Sequence, residues 1–219
     1  MNSPLVVDYY TDILCVWAWV AQRRIDELNK HLGNKIEIKY HYLDVFGDAV
    51  NKIPNQWSER GGYQGFSKHV IESASAYEDA LVNEKIWSKV RPTSSANPHL
   101  VLKAIELSYS SQQSIELALR FRRAFFVDAI DISNMNVLFT LIEEAGLESA
   151  KVNQSITDGF AMAALMGDYQ QAKTLGLKGS PSYIMNNGRQ TLYGNVGYRV
   201  LLSNIEELLK MPSNEASWC

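Results

Sequence analysis

The sequence predicts an α/β fold in which a small sheet, built from both ends of the chain, is interrupted by a long helical insertion. Three observations predict it. A strand–helix–strand pattern occupies the start of the chain, an almost wholly helical pattern runs from about residue 66 to 176, and a β-hairpin followed by a helix closes the chain. Each β-containing end is too small to fold alone, so we expect the two ends to share one sheet.

The N-terminal unit predicts a strand, a helix and a second strand. A β-branched and aromatic run from Leu5 to Tyr10 is typical of a buried strand, and apolar residues at helical spacing predict a helix from Val16 to Leu32. Gly33 is a typical helix stop, and the alternation of apolar and polar residues over Ile36–Tyr42 predicts the second strand. A βαβ unit of this length implies that its two strands pair in parallel.

Glycine and proline positions and the helical spacing of apolar residues predict the elements in the rest of the chain. Glycines and a proline between residues 44 and 65 predict a loop, and the residues after it predict helix almost throughout. The clearest helices are expected from Asn97–Pro98 onward, over Ile115–Ala129, over Asn136–Ala145 and over about Asp158–Leu175. The closing elements are expected at Pro181–Met185 (strand), Asn187–Gly188 (two-residue turn), Gln190–Tyr193 (strand) and Gly197–Leu209 (helix).

These elements predict two domains. A discontinuous α/β domain comprises residues 1–45 and 177–212, and an inserted α-helical domain comprises residues 60–176. The tail from Met211 to Cys219 is expected to be frayed.

Composition excludes several functional classes. The chain has 219 residues, a formal charge of −3 and no concentrated basic stripe, which argues against a nucleic-acid surface. No apolar run approaches the roughly 18 residues of a membrane span, and the N-terminus lacks the basic region of a secretory signal, so we expect a cytoplasmic protein without membrane contact. Two cysteines cannot form the disulfide framework of a small secreted fold.

The strongest chemical candidate is Cys15, at the junction of the first strand and the first helix. The first turn of a helix offers unpaired N–H groups and a partial positive charge, and both lower the pKa of a thiol. A carboxylate at Asp12, near the same helix start, would act in the opposite sense. The alternative is that Cys15 is an ordinary small buried residue.

A second signal is Gly179-Ser180-Pro181, directly before a predicted strand. Proline is tolerated at a strand start because its missing N–H is not needed in the ladder, and a rigid turn would explain it equally well. Taken with Asp8–Trp19 (DYYTDILCVWAW), Ala172–Pro181 and Gly194–Arg199, the chain resembles the DsbA-like branch of the thioredoxin superfamily over about residues 4 to 210. That branch includes FrnE-type oxidoreductases, 2-hydroxychromene-2-carboxylate isomerases and kappa-class glutathione transferases.

The resemblance implies a thioredoxin-like fold with a large α-helical insertion. It places Cys15 in the nucleophile's position, with Ser180 and the cis-proline Pro181 opposite. The active-site motif is then Cys15-Val16-Trp17-Ala18, in which Ala18 replaces the family's resolving cysteine and Val16 replaces a common proline. Because Cys219 is not expected to act as the resolving thiol, we expect thiol–disulfide or glutathione-linked redox chemistry through a single thiol.

Two alternatives remain open. In the isomerases and transferases of the same branch a serine corresponding to Cys15 orients bound glutathione, so Cys15 would orient the cosubstrate without forming bonds. The chain would then be a glutathione-dependent isomerase or transferase. The other alternative is a non-catalytic thioredoxin-fold module that binds peptides in the groove of its cis-proline.

Glutathione, or another thiol or disulfide, is the expected cosubstrate, and no permanently bound cofactor is expected. Its peptide would pair with the backbone of Ser180, before Pro181, and its carboxylate would dock at the last helix, where Asn195 supplies a cap and Val196 a free N–H. No metal site is expected, because the four histidines are isolated. The arginines of the 120–123 segment are expected on a solvated helix face, and a homodimer is left open.

Overall fold

The computed structural model describes residues 3–210 and shows a mixed four-stranded sheet that joins the two ends of the chain, as the sequence predicts. The strands are β1 (Leu5–Thr11), β2 (Ile36–Tyr42), β3 (Ser182–Met185) and β4 (Gln190–Tyr193), in the order β2-β1-β3-β4. β1 pairs in parallel with β2 and antiparallel with β3, and β3 pairs antiparallel with β4. The tail predicted to fray, from residue 211 onward, lies outside the described residues.

The α-helices within residues 3–210 include the helices predicted from the sequence and others besides. They are α1 (Val16–Leu32), α2 (Ala49–Gln56), α3 (Gly62–Ala74), α4 (Ala96–Ser108), α5 (Ser111–Phe126), α6 (Met135–Glu144), α7 (Ser149–Thr157), α8 (Phe160–Thr174) and α9 (Tyr198–Lys210). Short 3₁₀ turns lie at Gly33–Lys35 and Ser58–Arg60. The predicted thioredoxin-like arrangement is therefore present, with seven of these helices between β2 and β3.

The two larger hydrophobic clusters within residues 3–210 hold these layers together. One lies on the sheet, where Val7 and Tyr9 of β1 pack with Ile25 and Leu28 of α1 and with Ile205 of α9. The other fills the helical layer and also takes in residues around the start of α1: Ile13, Leu14, Val16, Trp19 and Val20. The connection that carries Cys15 is therefore packed into the helical layer, and the predicted division into two domains stays a prediction.

Residues 44–65 are not the predicted loop. They hold α2 and the start of α3, because Ala49 and Ile53, one helical turn apart, are both buried. Pro54 lies inside α2, and Gly65 lies inside α3 where a Cβ would come within 1.7 Å of the Arg60 carbonyl oxygen. Gly65 serves a close backbone approach here, which the sequence alone does not distinguish from a flexible turn.

Residues 75–95 and the terminal hairpin also differ from the prediction. The 75–95 segment is irregular, and the fully buried Trp87 anchors it with φ = +56° and an N–H that donates to the Val90 carbonyl at 2.7 Å. In the hairpin, Met185 pairs with Gln190, so four residues connect the strands where two were predicted. Two consecutive asparagines at positive φ, beginning with Asn186, form the first half of that turn.

Candidate functional site

Cys15 occupies the N-cap position of α1, in the short connection that follows β1. Its N–H donates to the Asp12 carbonyl at 3.1 Å, and its own carbonyl accepts the first helical hydrogen bonds, from Ala18 and Trp19. Only the three residues Asp12–Leu14 separate the last residues of the strand from Cys15. The thiol is thereby placed at the carboxyl end of β1.

The structure brings Cys15 and the Ser180–Pro181 loop together. Cys15 Sγ donates to the Ser180 carbonyl oxygen at 3.2 Å, and the Ser180–Pro181 peptide bond is cis. The Ser180 hydroxyl accepts the N–H of Asp12 at 2.8 Å. Ser180 therefore holds the thiol through its carbonyl and the preceding connection through its side chain.

The protonation of Cys15 differs from the sequence-based expectation. Burial raises the pKa of the Cys15 thiol above its ordinary value, since the residue is only 6% exposed. The N–H groups of Ala18 and Trp17 and the Ser180 side chain lower it, and the charge of Asp12 adds to the rise. Helix-start donors do face the sulfur, as predicted, but desolvation outweighs them in the resting protein.

Asp12 is the buried charge beneath this connection. It is fully buried and accepts the N–H of Leu14 at 2.9 Å, the N–H of Phe46 at 2.8 Å and the Ser95 hydroxyl at 2.8 Å. Burial raises the pKa of Asp12 to about 6, and these three hydrogen bonds oppose the rise. One carboxylate thus ties the thiol-bearing connection to the segment after β2 and to the start of α4.

His99 supports the same connection from α4. Its Nε2 accepts the N–H of Ile13 at 3.0 Å, so the ring proton resides on Nδ1, 3.1 Å from the Tyr169 hydroxyl. Burial lowers the pKa of His99 well below its ordinary value, and the charge of Arg122 acts in the same direction. The ring is therefore neutral at physiological pH and acts as a hydrogen-bonded support.

The other residues of the Cys15–Ala18 motif differ in burial. Val16 is buried, and Ala18, which stands where a resolving cysteine would be, is fully buried. Trp17 is half-buried and contacts Tyr77 edge to face, with the ring centroids 6.5 Å apart. Among the motif residues after Cys15, only Trp17 is partly exposed.

The predicted carboxylate site at Asn195 and Val196 is not formed in this structure. α9 begins at Tyr198, and the N–H of Val196 donates to the Gly194 carbonyl at 2.8 Å, so this N–H is not free. The Asn195 side chain accepts from Arg24 Nη1 at 2.7 Å and donates to the Tyr77 hydroxyl. The turn at Gly194 therefore occupies the N–H of Val196, which was expected to bind the carboxylate. Asn195 lies before the start of α9 and does not cap it.

Sequence reasoning missed Phe46, Ser95, His99 and Tyr169 as supports of the site. They come from three separate segments, since Ser95 and His99 both lie at the start of α4, and no spacing relates them to Cys15. The one available signal was Ser95, a residue type favoured before a helix, which here donates its hydroxyl to Asp12.

Residues 3–210 contain neither a candidate metal centre nor a helix that could span a membrane. Over this range, no three or more His, Cys, Asp and Glu residues are grouped so that they could hold a metal ion. Over the same range, each helix is too short or too polar to cross a membrane.

Comparison with known proteins gives one family and several relatives. The family model of the DSBA-like thioredoxin domain matches residues 6–206. The ClpXP adapter protein SpxH of Halalkalibacterium halodurans is 22% identical over 218 residues, covering 95% of this chain and 69% of the relative.

Solved structures share the fold at low sequence identity. The cytosolic disulfide reductase DsbM from Pseudomonas aeruginosa aligns with a TM-score of 0.70 and 19% identity, over 93% of this chain and 100% of that one. The same protein with GSH aligns with a TM-score of 0.66. A 2-hydroxychromene-2-carboxylate isomerase aligns with a TM-score of 0.63 and 16% identity, over 94% of this chain and 97% of that one.

Proposed function

The chain belongs to the family of DSBA-like thioredoxin domains, and from that membership we propose that it carries out thiol–disulfide exchange through the single thiol of Cys15, with glutathione as cosubstrate. The observation that carries the proposal is the position of Sγ. It lies 3.2 Å from the Ser180 carbonyl oxygen, with the N–H groups of Trp17 and Ala18 stabilising its charged form. The neutral thiol thus has an acceptor in place.

The exchange proceeds in two balanced steps. The Cys15 thiolate attacks a glutathione-containing disulfide, forms a mixed disulfide with glutathione and releases the other sulfur as a thiolate, which takes up a proton. A second glutathione thiolate then attacks the glutathione sulfur, so that oxidised glutathione leaves and the Cys15 thiolate is restored. One free glutathione is consumed in each turnover, and the disulfide bond passes from the substrate to oxidised glutathione.

The raised pKa of the Cys15 thiol acts in opposite senses on the two steps. It makes the mixed disulfide of Cys15 a weak oxidant, which favours reduction of the substrate in the first step, and it makes Cys15 a poor leaving group, which slows the attack of glutathione in the second. The buried Ala18 supports the dependence on an external thiol, because position 18 has no sulfur to resolve the adduct. DsbM is described as a cytosolic disulfide reductase and has a structure with GSH, which agrees with this direction. As part of the same proposal we infer a cytoplasmic location, where thiols are kept reduced by glutathione.

The test is the mass of the protein after exposure to oxidised glutathione. The starting protein should be Cys219→Ser, because the chain has two cysteines. We expect one added glutathione, lost on reduction and absent from Cys15→Ser/Cys219→Ser, together with turnover of a glutathionylated peptide in the presence of glutathione and glutathione reductase. No adduct on the native fold at pH 8 to 9, combined with no turnover, would refute the proposal.

A second candidate is a non-catalytic module that binds a partner protein. The buried thiol of raised pKa favours it, and so does the sequence relative, an adapter protein. Cys15→Ala would then retain partner binding while the chain shows no thiol turnover.

If Cys15→Ser instead retains specific glutathione binding without forming an adduct, the isomerase or transferase alternative is favoured, in which the group at position 15 only orients the cosubstrate.

A further inference from the structure

Within residues 3–210, two arginines that are not fully exposed have no carboxylate within 4 Å: Arg24 on α1 and Arg122 on α5. The sequence predicts Arg122 on a solvated face, but it is fully buried and donates to Thr11 Oγ1 at 2.7 Å and to Gln22 Oε1 at 3.2 Å. The expectation for Arg122 is therefore wrong. Arg24 is half-buried, so its guanidinium can be reached from solvent.

The Arg24 guanidinium is held by neutral partners. Its Nη1 donates to Asn195 Oδ1 at 2.7 Å, and its Cζ lies 5.6 Å from the centre of the Tyr77 ring. The neighbouring Arg23 differs, because it forms an ion pair with Asp79. A guanidinium carries five N–H donors, so among the described residues Arg24 keeps an uncompensated charge and N–H groups that lack acceptors.

Tyr77 links Arg24 to the start of α1. The Tyr77 ring contacts the Trp17 ring edge to face, with the centroids 6.5 Å apart, and Trp17 is two residues after Cys15. Trp17 and Arg24 are seven residues apart, so they lie on one face of α1, where side chains tilt toward the N-terminus of the helix. This face therefore leads from Arg24 to the end of α1 that carries the thiol.

Asn195 links Arg24 to the cis-proline loop. Asn195 follows Gly194, whose N–H donates to the Pro181 carbonyl at 2.8 Å. Cys15 Sγ donates to the carbonyl of the residue that precedes this proline. The thiol and the partner of the guanidinium thus lie beside the same short stretch of chain.

The charges around Arg24 limit where an anion can bind. A cavity of about 650 Å³ is bordered by Arg24 and Tyr77, and its lining holds three arginines and four carboxylates. The carboxylates are those of Asp26, Glu27, Glu78 and Asp79. Their excess disfavours an anion in this cavity. Trp17 and Asn195 do not line it, so a carboxylate ligand is favoured on the side of Arg24 that faces them.

We propose that Arg24 binds a carboxylate of glutathione while the glutathione sulfur reacts with Cys15, and that Asn195 positions the guanidinium. The inference rests on the glutathione chemistry proposed above. Guanidinium N–H groups match the geometry of a carboxylate, and a half-buried guanidinium without a counter-charge lacks only that partner. Arg24 then takes the role that the sequence predicts for the N–H of Val196, which is already bonded.

The dimensions agree with this assignment. Glutathione carries a carboxylate at each end, and an extended tripeptide spans about 10 Å. Seven residues of helix, the separation of Trp17 and Arg24, rise by about the same length. One end of the tripeptide can therefore reach the guanidinium while its sulfur lies at the start of α1.

The first test compares oxidised glutathione with its fully esterified form, which keeps the disulfide and lacks the carboxylates. The background is the Cys219→Ser chain, and the rate of adduct formation at Cys15 is followed by mass. We expect the background and Arg23→Met to react about ten to a hundred times faster with oxidised glutathione than with the ester. Arg24→Met should react with both disulfides at similar rates.

This comparison separates carboxylate binding from general effects of charge and folding. Arg23→Met removes an identical charge from the next residue, and the ester reports whether the thiol of each variant still reacts. If Arg24→Met keeps the full preference for oxidised glutathione, the inference is wrong while the exchange chemistry stands.

A second test uses S-methylglutathione, which keeps both carboxylates and cannot exchange. In NMR titrations of the full chain we expect Arg24→Met to weaken binding about tenfold or more, and Arg23→Met to leave it unchanged. If oxidised glutathione forms no adduct, binding that depends on Arg24 would still support the carboxylate site and reject only the exchange chemistry. Equal affinities of the two variants, or no binding by the wild type, would overturn the inference.

Discussion

At the residue scale, the site is governed by two buried ionisable groups that act on each other. Cys15 is protonated at rest because its surroundings exclude water, and Asp12 adds negative charge below it once it ionises. Because the thiolate is the reactive form, the ionisation of Asp12 sets a limit on the reactivity of the sulfur. The N–H groups at the start of α1 lower the pKa of the thiol, but burial raises it by more.

We expect Asp12→Asn to lower the pKa of the Cys15 thiol, because the substitution removes the charge that disfavours the thiolate. The rate of alkylation by iodoacetamide, measured against pH in the Cys219→Ser background, reports the change. Asp44→Asn removes an exposed charge from the nearby segment and serves as the matched control. An Asp12→Asn profile that coincides with that of Asp44→Asn would contradict the coupling.

Asp12 should also make stability depend on pH. Its pKa is about 6 in the folded state, above the roughly 4 of an unfolded aspartate, so the folded state binds the proton more tightly. Stability from this group is therefore greatest at low pH and falls as pH rises from about 4 to 6, by at most about 3 kcal/mol. Urea unfolding at pH 4.5 and 7 should show this fall in the wild type and not in Asp12→Asn.

At the element scale, β1, β2 and α8 are joined through one histidine. His41 on β2 contacts Asp8 on β1 at 2.9 Å and Asp168 on α8 at 3.1 Å, and Asp168 also accepts from Lys103 on α4 at 3.2 Å. Burial would lower the pKa of His41, but the two carboxylates outweigh it and raise the pKa to about 9. The ring is therefore charged at neutral pH and stabilises the contact between sheet and helices.

His41→Gln should remove a pH-dependent part of the stability. The folded pKa lies above the unfolded value of about 6.5, so this contribution is fully present below pH 6.5 and is lost as pH rises through 9. We expect the wild type to lose about 1–3 kcal/mol more than the variant between pH 6.5 and 9. Urea midpoints across this range test it, with the exposed His31→Gln as control. Parallel curves for wild type and His41→Gln would count against this role.

The elements were predictable where spacing is regular and local. The βαβ unit, the closing strands and the helices from residue 96 onward follow from periodicity and from stop residues. The α2–α3 region was not predictable, because Pro54 and Gly65 are typical of loops and act here within helices. The anchoring of residues 75–95 by Trp87 depends on aromatic partners distant in sequence, which a local pattern does not contain.

At the scale of the whole molecule, the aromatic cluster around Trp87 joins the helical layer to the region of the site. The Trp87 ring packs against Phe46, Phe66 and Phe125, at centroid distances of 5.6, 5.3 and 5.3 Å. Phe46 is the residue whose N–H donates to Asp12. The core therefore runs from the helices to the buried carboxylate beneath Cys15.

Trp87→Ala should destabilise the whole chain by about 3–5 kcal/mol, and unfolding should remain a single transition. Circular dichroism of the helices and exchange of the β1 amides should report the same urea midpoint. Trp57→Ala, at a half-buried position, should cost less. Two separate transitions would show that the inserted helical domain and the α/β domain unfold independently, which the shared core argues against.

The site was predictable only in part, because several of its contacts join segments that are distant in sequence. Cys15, Ser180 and Pro181 stand out because chemistry and chain position mark them, and the structure brings them together. Their supports are invisible to spacing, because Asp12 reaches Phe46 and Ser95, and His99 reaches Ile13, through folding of distant segments. Asn195 was placed at a helix start that begins three residues later.

The end of β1 is fastened to the helical layer at three successive residues. Thr11 is held by Arg122 of α5, Asp12 by the hydroxyl just before α4, and Ile13 by His99 within α4. Side chains of α4 and α5, and not the strand alone, therefore set where the first sheet strand delivers the sulfur.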